Sequence, residues 1–276
     1  PNFNYTDNTL FTSIKSTSTD YIADYGYKTN ENSISLGTTF QQYENFYFSP
    51  SFLTSFESLD TTSKATTNLK KQEGTYFDTY FNYTINYDLR NQRYQTTEGI
   101  QTIFRQELPV VAENSEIINS FEITRYQPLV SNMIGKISFF SKAANSLTDD
   151  DVRISKRLYV PYSKLRGFEK GKVGPKDNDS YIGGNYVSTL NLSTTLPQIL
   201  PSFQNTDFSF FIDMGNVWGV DYDSSIDDRS ALRASSGLAV DLLTPIGPMN
   251  FSFTETLYKA SSDKTESFRF NIGTSF

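Results

Sequence analysis

The sequence predicts an all-β chain whose strands form an antiparallel transmembrane barrel. First, apolar and polar residues alternate along most of the 276 residues, which is the period of strands with two different faces. Second, no stretch reaches the ~18 consecutive apolar residues that a transmembrane helix needs. Third, short turns and long polar loops alternate along the chain, which is the layout of a membrane barrel.

The alternation places about thirteen strands along the chain, many of them about 8–12 residues long. Their predicted positions are near residues 9–17, 33–43, 46–57, 75–89, 97–108, 115–126, 131–142, 153–161, 184–195, 207–216, 231–243, 248–258 and 266–276. The stretch Tyr76–Leu89 shows the pattern clearly, with Phe77 and Phe81 on one face and Asp78 and Asn82 on the other. No segment longer than two turns has a convincing helical period.

The connections and the second face distinguish a barrel from a soluble β-sandwich. Residues 244–248 form a short turn, whereas residues 58–74 and 221–229 form long charged loops. In a sandwich the polar face would carry mostly solvated Lys and Glu, but here it is rich in Asn, Ser, Thr and Gly. Charges are nearly absent from the apolar face, and aromatic residues lie near strand ends, as an interfacial girdle requires. The comparison favours the barrel.

Composition argues against several function classes. With 24 Lys and Arg against 31 Asp and Glu, the formal net charge is −7, and this balance argues against a nucleic-acid-binding protein, which would normally be basic. The chain contains no Cys and no His, which removes disulfides, thiolate chemistry, and the commonest general base and metal ligand.

Other motifs point away from catalysis as well. The acidic runs Asp149–Asp151 and Asp227-Asp228 could bind Ca²⁺ but lack an ordered ligand spacing, so we interpret them as surface charge. No Gly-rich phosphate loop and no catalytic triad is present. We therefore expect no catalytic residue, no cofactor and no metal, and a protein that is not an enzyme. No leader peptide is visible at Pro1, so either a leader has been removed or Pro1 is not the natural start.

The polar stretch Lys164–Asn185 separates two predicted strands, and at roughly twenty residues it is much longer than the four to six that most connections need. It begins with the run Leu165-Arg166-Gly167-Phe168 and ends with Gly183-Gly184-Asn185. The final glycines fit either a close backbone approach with positive φ or an ordinary turn. The lysines and aspartates between the two runs are typical of a solvated loop.

Asp213 is predicted to need a cationic partner. It lies mid-strand among phenylalanines, on the polar and therefore inward side, where an unpaired carboxylate would be costly to desolvate. Arg166 could bind it bidentately while stacking on Phe211 or Phe168. Such a pair attracts by ~4 kcal/mol at an effective dielectric of about 20, before desolvation is subtracted. Taken alone, however, Arg166 would more simply be a loop arginine beside a turn glycine.

Six motifs occur in a fixed order along the chain. They are Leu165–Phe168, Gly174-Pro175, Ile182–Asn185, Phe210–Trp218, Thr244–Pro248 and the terminal Phe270–Phe276. Their order resembles the C-terminal barrel of the BamA family of outer-membrane protein assembly factors, within the bacterial surface antigen family. The specific part covers roughly residues 155–276, while Tyr87–Asn91 and Ser35–Tyr43 are similar but less diagnostic.

The resemblance implies a sixteen-stranded barrel in the outer membrane of a Gram-negative bacterium, with the long loop folded back into the lumen. The tip of that loop would be Leu165, Arg166, Gly167 and Phe168, and it would lock onto an inner wall that includes Phe211 and Asp213. Gly183, Gly184 and Asn185 would then return the chain to the wall.

The resemblance also implies a seam and a set of partners. The last strand, represented by Phe268, Phe270, Ile272 and Phe276, would pair imperfectly with the first strand. The seam could then open sideways, so that substrate strands add to its edge. The implied partners are nascent outer-membrane β-barrel proteins, outer-membrane lipid, and accessory lipoproteins reached through periplasmic POTRA domains.

The chain departs from the family pattern in three respects. It is predicted to be a single barrel domain over residues 1–276, with no POTRA domain. About thirteen strands are predicted, which suggests that the first three or so are missing and that the chain is a fragment or the ordered portion of a longer protein. An acidic residue that some members carry after Gly-Gly-Asn is Ser193 here, so we expect fewer partners for the loop arginine.

More than one function is compatible with the sequence. The main hypothesis is a barrel-assembly insertase that thins or disorders lipid beside the seam and templates strands at its edge. The alternatives are a passive channel or porin, which would need a wide polar lumen, and a family relative that secretes a dedicated substrate or assembles autotransporters. The number of POTRA domains encoded upstream of Pro1 would discriminate among these functions.

Overall fold

A computed structural model describes residues 8–93, 95–196, 206–221, 225–244 and 247–272. Twelve antiparallel strands form one sheet, and each strand hydrogen-bonds to the next strand of that sheet along the chain. The strands of the sheet are β1 (Thr9–Tyr21), β2 (Tyr27–Tyr43), β3 (Phe46–Thr61), β4 (Gly74–Asp88), β5 (Gly99–Val111), β6 (Glu116–Pro128), β7 (Ile134–Ser146), β10 (Tyr186–Thr195), β11 (Thr206–Trp218), β12 (Arg233–Thr244), β13 (Gly247–Tyr258) and β14 (Phe268–Ile272). Two further strands, β8 (Lys176–Asp177) and β9 (Ser180–Tyr181), form a short hairpin outside this sheet. The fold is all-β, as predicted.

Helical structure is confined to connections. The described residues contain two short α-helices, α1 (Ile22–Tyr25) and α2 (Thr67–Lys71), and 3₁₀ turns at Val130–Asn132, Ile154–Lys156 and Tyr162–Lys164. The hydroxyl of Thr66 caps α2 by accepting from the Leu69 amide at 3.4 Å. None of the helices in the described ranges is long and apolar enough to cross a membrane.

The two faces of the sheet differ in polarity in the sense that a membrane barrel requires. Large apolar side chains lie exposed on the outer face, including Ile14, Ile34, Leu36, Phe52, Phe56, Phe77, Ile137, Leu238, Phe253, Phe268, Phe270 and Ile272. Polar and charged side chains are buried on the inner face, including Ser55, Glu57, Asp78, Glu116, Ser138, Asp213, Ser235 and Arg269. A soluble sandwich would bury the apolar face and expose the polar one, so this arrangement is that of a wall facing lipid.

Twelve of the predicted strands correspond to strands of the sheet, and the one predicted at residues 153–161 is wrong. That stretch contains the 3₁₀ turn Ile154–Lys156 and a single bridge between Leu158 and Gly184. The physical reason is that β7 and β10 pair directly, with Ala143 opposite Tyr186, and so leave no place for a strand between them. In the described residues β1 and β14 are the two edges of the sheet.

Candidate functional site

Residues 152–185 leave the wall between β7 and β10 and lie against its inner face; we call them the inward segment. Their apolar side chains form a common core with those of the wall. This core contains Val152, Leu158, Leu165, Phe168 and Val173 from the inward segment and Ile118, Phe140, Ala144, Val187 and Val217 from the wall. The long loop is therefore a buried structural element. Of its residues predicted to be solvated, Lys170 and Asp179 are exposed, Lys172 and Lys176 are half-buried, and Asp177 is buried, so the prediction is wrong for Asp177.

Arg166 and Asp213 form the ion pair that the sequence predicts. The guanidinium Nε lies 2.7 Å from Asp213 Oδ2, and Nη2 lies 2.9 Å from Oδ1. The backbone amide of Arg166 also donates to Oδ2, at 3.1 Å. The centre of the guanidinium lies 3.4 Å from the centroid of the Phe211 ring. Because Asp213 is fully buried, the carboxylate depends on these contacts for its stability.

Two further polar residues, which the sequence analysis missed, hold this pair in place. Asn191 donates from Nδ2 to Asp213 Oδ1 at 2.8 Å, and the Ser235 hydroxyl donates to the carbonyl of Arg166 at 2.6 Å. Both residues lie directly opposite Asp213 in the registers of β10–β11 and β11–β12. Pairing the predicted strands around Asp213 would therefore have found them.

Gly167 and Phe168 complete the tip. The backbone of Gly167 has φ +85°, and a Cβ on this residue would lie 2.5 Å from Thr254 Cγ2. The glycine thus allows both the left-handed conformation and the close approach of the tip to β13. Phe168 is only 2 % exposed and belongs to the common core with Leu165. The tip consequently combines an ionic contact with an apolar anchor.

The return to the wall occurs at Gly183, Gly184 and Asn185, as predicted. Gly183 has φ +69°, and a Cβ on Gly184 would lie 2.4 Å from the carbonyl oxygen of Trp218. The backbone of β11 therefore approaches too closely for a side chain at Gly184. Asn185 accepts from Arg157 Nη1 at 3.0 Å.

Asp221 binds both ends of the inward segment. It accepts from the Val152 amide at 3.0 Å and from Asn185 Nδ2 at 2.9 Å, and it also pairs with Arg157. Partial burial opposes ionisation of this carboxyl, but the Val152 amide, the Arg157 guanidinium and the Asn185 amide outweigh it and hold the pKa of Asp221 below its usual range.

Arg153 anchors the inward segment to strands β3, β4 and β6. Its side chain is completely buried and contacts Glu57 of β3, Asp78 of β4 and Glu116 of β6, at 3.5 Å for Nη1 to Glu57 Oε2 and 3.3 Å for Nε to Glu116 Oε1. Sequence reasoning placed Arg153 in a strand and missed this role. The alternation of the strands indicates that the three acids face inward, but no local signal shows that they converge on one arginine.

The predicted seam strand is β14. Its outward side chains Phe268, Phe270 and Ile272 are 50 %, 42 % and 57 % exposed, while Phe276 lies outside the described residues. Between them Arg269 faces inward and is 3 % exposed. The apolar face of this strand is therefore directed at lipid and its charged face at the interior.

The chain matches the model of the Omp85 superfamily domain over residues 1–276. It is 31 % identical over 141 residues to the outer membrane protein assembly factor BamA of Neisseria meningitidis serogroup B, covering 41 % of this chain and 17 % of that protein. It is 26 % identical over 145 residues to BamA of Neorickettsia risticii, covering 51 % of this chain and 19 % of that protein. The aligned regions thus span only a small part of the curated relatives.

Two solved structures share the fold. The crystal structure of BamA from Haemophilus ducreyi lacking POTRA domains 1–3 superposes with a TM-score of 0.83 at 22 % identity, covering 95 % of this chain and 58 % of that one. CdiB from Acinetobacter baumannii superposes with a TM-score of 0.56 at 12 % identity, covering 96 % of this chain and 47 % of that one. The likeness to the BamA barrel is clearly the stronger of the two.

The lipid-facing wall and these relatives place the chain in the outer membrane of a Gram-negative bacterium, as predicted. Because the family model matches along the whole length of the sequence, the chain belongs to the Omp85 superfamily.

Proposed function

We propose that this chain is the barrel of an outer-membrane protein assembly factor, which folds and inserts other β-barrel proteins through a lateral seam at its last strand. Support comes from the curated relatives, which carry this function in their names. The observation that carries the proposal is the lock of Arg166 on Asp213, which fixes the tip of the inward segment to the inside of a wall whose last described strand, β14, is apolar outside.

A seam at β14 would suit strand addition. In the described residues β14 pairs with β13 from Phe253 opposite Phe268 to Met249 opposite Ile272. An edge strand presents backbone N–H and C=O groups that can pair with another chain. A substrate strand added by β-augmentation would extend this sheet and carry its own apolar face toward lipid.

The interior argues against the alternative of a passive channel. The inward segment shares a buried core with the wall and is fixed by ion pairs at Arg153 and Arg166. A cavity of about 610 Å³ lies beside β1 and β2 and includes Tyr27, Glu57 and Tyr162 in its lining. A barrel occupied in this way suits a scaffold for strand assembly better than a wide pore.

The partners of the proposed function are nascent outer-membrane β-barrel proteins, outer-membrane lipid, and accessory lipoproteins that bind POTRA domains of the whole protein. The work would be done by strand templating and by local disordering of lipid beside β14. No step of this process makes or breaks a covalent bond, so we propose that the protein is not an enzyme.

Depletion of the full-length protein tests the proposal. We expect folded outer-membrane barrels to decline together, as measured by their heat-modifiable mobility on gels. Expression of the wild-type chain should restore them, whereas Arg166→Ala should not. Arg229→Ala is the matched control, because the Arg229 side chain is 85 % exposed. Normal levels of the other barrels after depletion, combined with a large steady conductance of the purified protein, would instead establish a channel.

A further inference from the structure

Arg269 makes a second contact between the tip of the inward segment and the wall. Its Nη2 donates to the carbonyl of Phe168 at 2.8 Å and to that of Leu165 at 3.3 Å, and its Nη1 donates to the carbonyl of Tyr162. These three carbonyls surround the position of Arg166. Arg269, on β14, therefore holds the backbone of the tip. The tip's own arginine, Arg166, is bound to Asp213 of β11.

The guanidinium of Arg269 is itself fixed in direction. Its Nε lies 2.6 Å from Glu266 Oε1, and its centre lies 3.5 Å from the centroid of the Tyr162 ring. The Tyr162 hydroxyl donates to the same Glu266 oxygen at 3.2 Å. Because the planar guanidinium of Arg269 is stacked on Tyr162 and paired with Glu266, its remaining N–H groups are already directed at the carbonyls. Little conformational entropy is therefore lost when these hydrogen bonds form.

Backbone hydrogen bonds run beside this contact. The Glu266 amide donates to the Gly167 carbonyl at 3.1 Å, and the Glu169 amide donates to the Lys264 carbonyl at 3.0 Å. Phe168 and Thr265 thereby form an antiparallel bridge. The connection into β14 is thus paired with the tip as a strand would be.

We propose that Arg269 is a positioning residue that fastens β14 to the tip, so that the lock of Arg166 on Asp213 also fixes the strand at which the seam would open. The path from β11 through the tip to β14 bypasses the lateral pairing through β12 and β13. The contacts of Arg269 alone support the attachment of β14 to the tip. The further claim that this attachment controls insertion rests on the proposed function.

The position of β14 can be measured directly, because the sequence contains no Cys. Spin labels on Phe121→Cys and Phe268→Cys would report the distance between β6 and β14, since both side chains lie on the outer face and are 37 % and 50 % exposed. The full-length protein in lipid nanodiscs, with any Cys outside residues 1–276 replaced by Ser, is the sample. Double electron–electron resonance gives the width of the distance distribution.

Arg269→Gln is expected to make that distribution about two-fold broader, because β14 becomes free to open locally. Arg229→Gln is the control: it removes an arginine whose side chain is 85 % exposed and which makes no contact with the tip, and it should leave the width unchanged. Arg269→Lys keeps the charge but cannot reach all three carbonyls, so its width should be intermediate.

A parental width for Arg269→Gln, or equal broadening by Arg229→Gln, would overturn the proposal. If Arg269→Gln does not fold, Arg269→Lys decides it alone, since a parental width there would show that the fork is not needed. The spectroscopic result does not depend on assembly activity. If other barrels assemble normally after depletion of this protein, and Arg269→Gln still broadens the distance distribution, the proposed function is rejected but the attachment of β14 to the tip stands.

Discussion

Asn191 lies directly opposite Asp213 in the register of β10 and β11. The side-chain amide of Asn191 binds both Asp213 on the wall and the backbone of the inward segment. Its Nδ2 donates to Asp213 Oδ1 at 2.8 Å and to the carbonyl of Lys164 at 2.7 Å. The wall carboxylate and the backbone leading to Arg166 are thus joined by one side chain. The lock is a three-residue arrangement of Arg166, Asp213 and Asn191.

Asn191→Ala should lower the free energy of unfolding by about 1–3 kcal/mol, because the Asp213 carboxylate loses a donor that water cannot easily replace. Ser193→Ala is the control, since Ser193 lies two positions along the same inward face and pairs with Phe211 in the register. Urea unfolding of the chain in detergent, followed by the fluorescence of its single tryptophan, gives both values. Equal losses in the two variants would contradict the role of Asn191.

Gly167→Ala should destabilise the tip by about 1–2 kcal/mol from its left-handed backbone alone, and further through contact with Thr254. A second change, Thr254→Ser, removes the methyl group that a Cβ at Gly167 would meet at 2.5 Å. The double variant should therefore recover part of the lost stability, while Thr254→Ser alone costs little. Absence of any recovery would show that the close approach to β13 does not limit this position.

Arg153→Met should cost about 3–5 kcal/mol, because it leaves three buried carboxylates without their cation. Glu57→Gln should cost much less, since two acids remain for the single arginine and like-charge repulsion falls. Urea midpoints of the two variants provide the comparison, with Arg229→Met as the exposed control. A larger loss for Glu57→Gln than for Arg153→Met would exclude Arg153 as the centre of this anchor.

Acidification should release the ends of the inward segment through Asp221. The folded-state pKa of this carboxyl is lowered, so its contribution to stability is fully present above the unfolded value of about 3.9 and is lost as the pH falls through the folded value. Hydrogen exchange of the Val152 amide should therefore accelerate below about pH 4, beyond the intrinsic dependence of exchange on pH. In Asp221→Asn the additional acceleration should disappear; if it persists, another group is responsible.

The wall could be predicted from the sequence because each strand carries its own alternating pattern. The pairing of Arg166 with Asp213 could be predicted as well, since both residues are unusual in their own surroundings. The strand expected at residues 153–161 could not be excluded, because Arg153 and Arg157 alternate with apolar neighbours as they would in a strand. Only the direct pairing of β7 with β10 forces this stretch inward.

The remaining contacts join residues that are distant along the chain. Arg153 meets Glu57, Asp78 and Glu116 only after β3, β4 and β6 lie side by side. Arg269 meets the carbonyls of Tyr162 and Phe168 across more than one hundred residues. Such contacts depend on how the interior of the barrel is packed. The spacing of residues along a single strand does not predict them.

A double-mutant cycle on Arg166 and Asp213 tests the central claim most directly. Urea unfolding would be measured for the parent, Arg166→Gln, Asp213→Asn and the double variant, each in the full-length protein. The lock predicts a coupling energy of about 1–3 kcal/mol, with the double variant more stable than the sum of the single losses allows. Additive losses would show that Arg166 and Asp213 do not stabilise the barrel through each other.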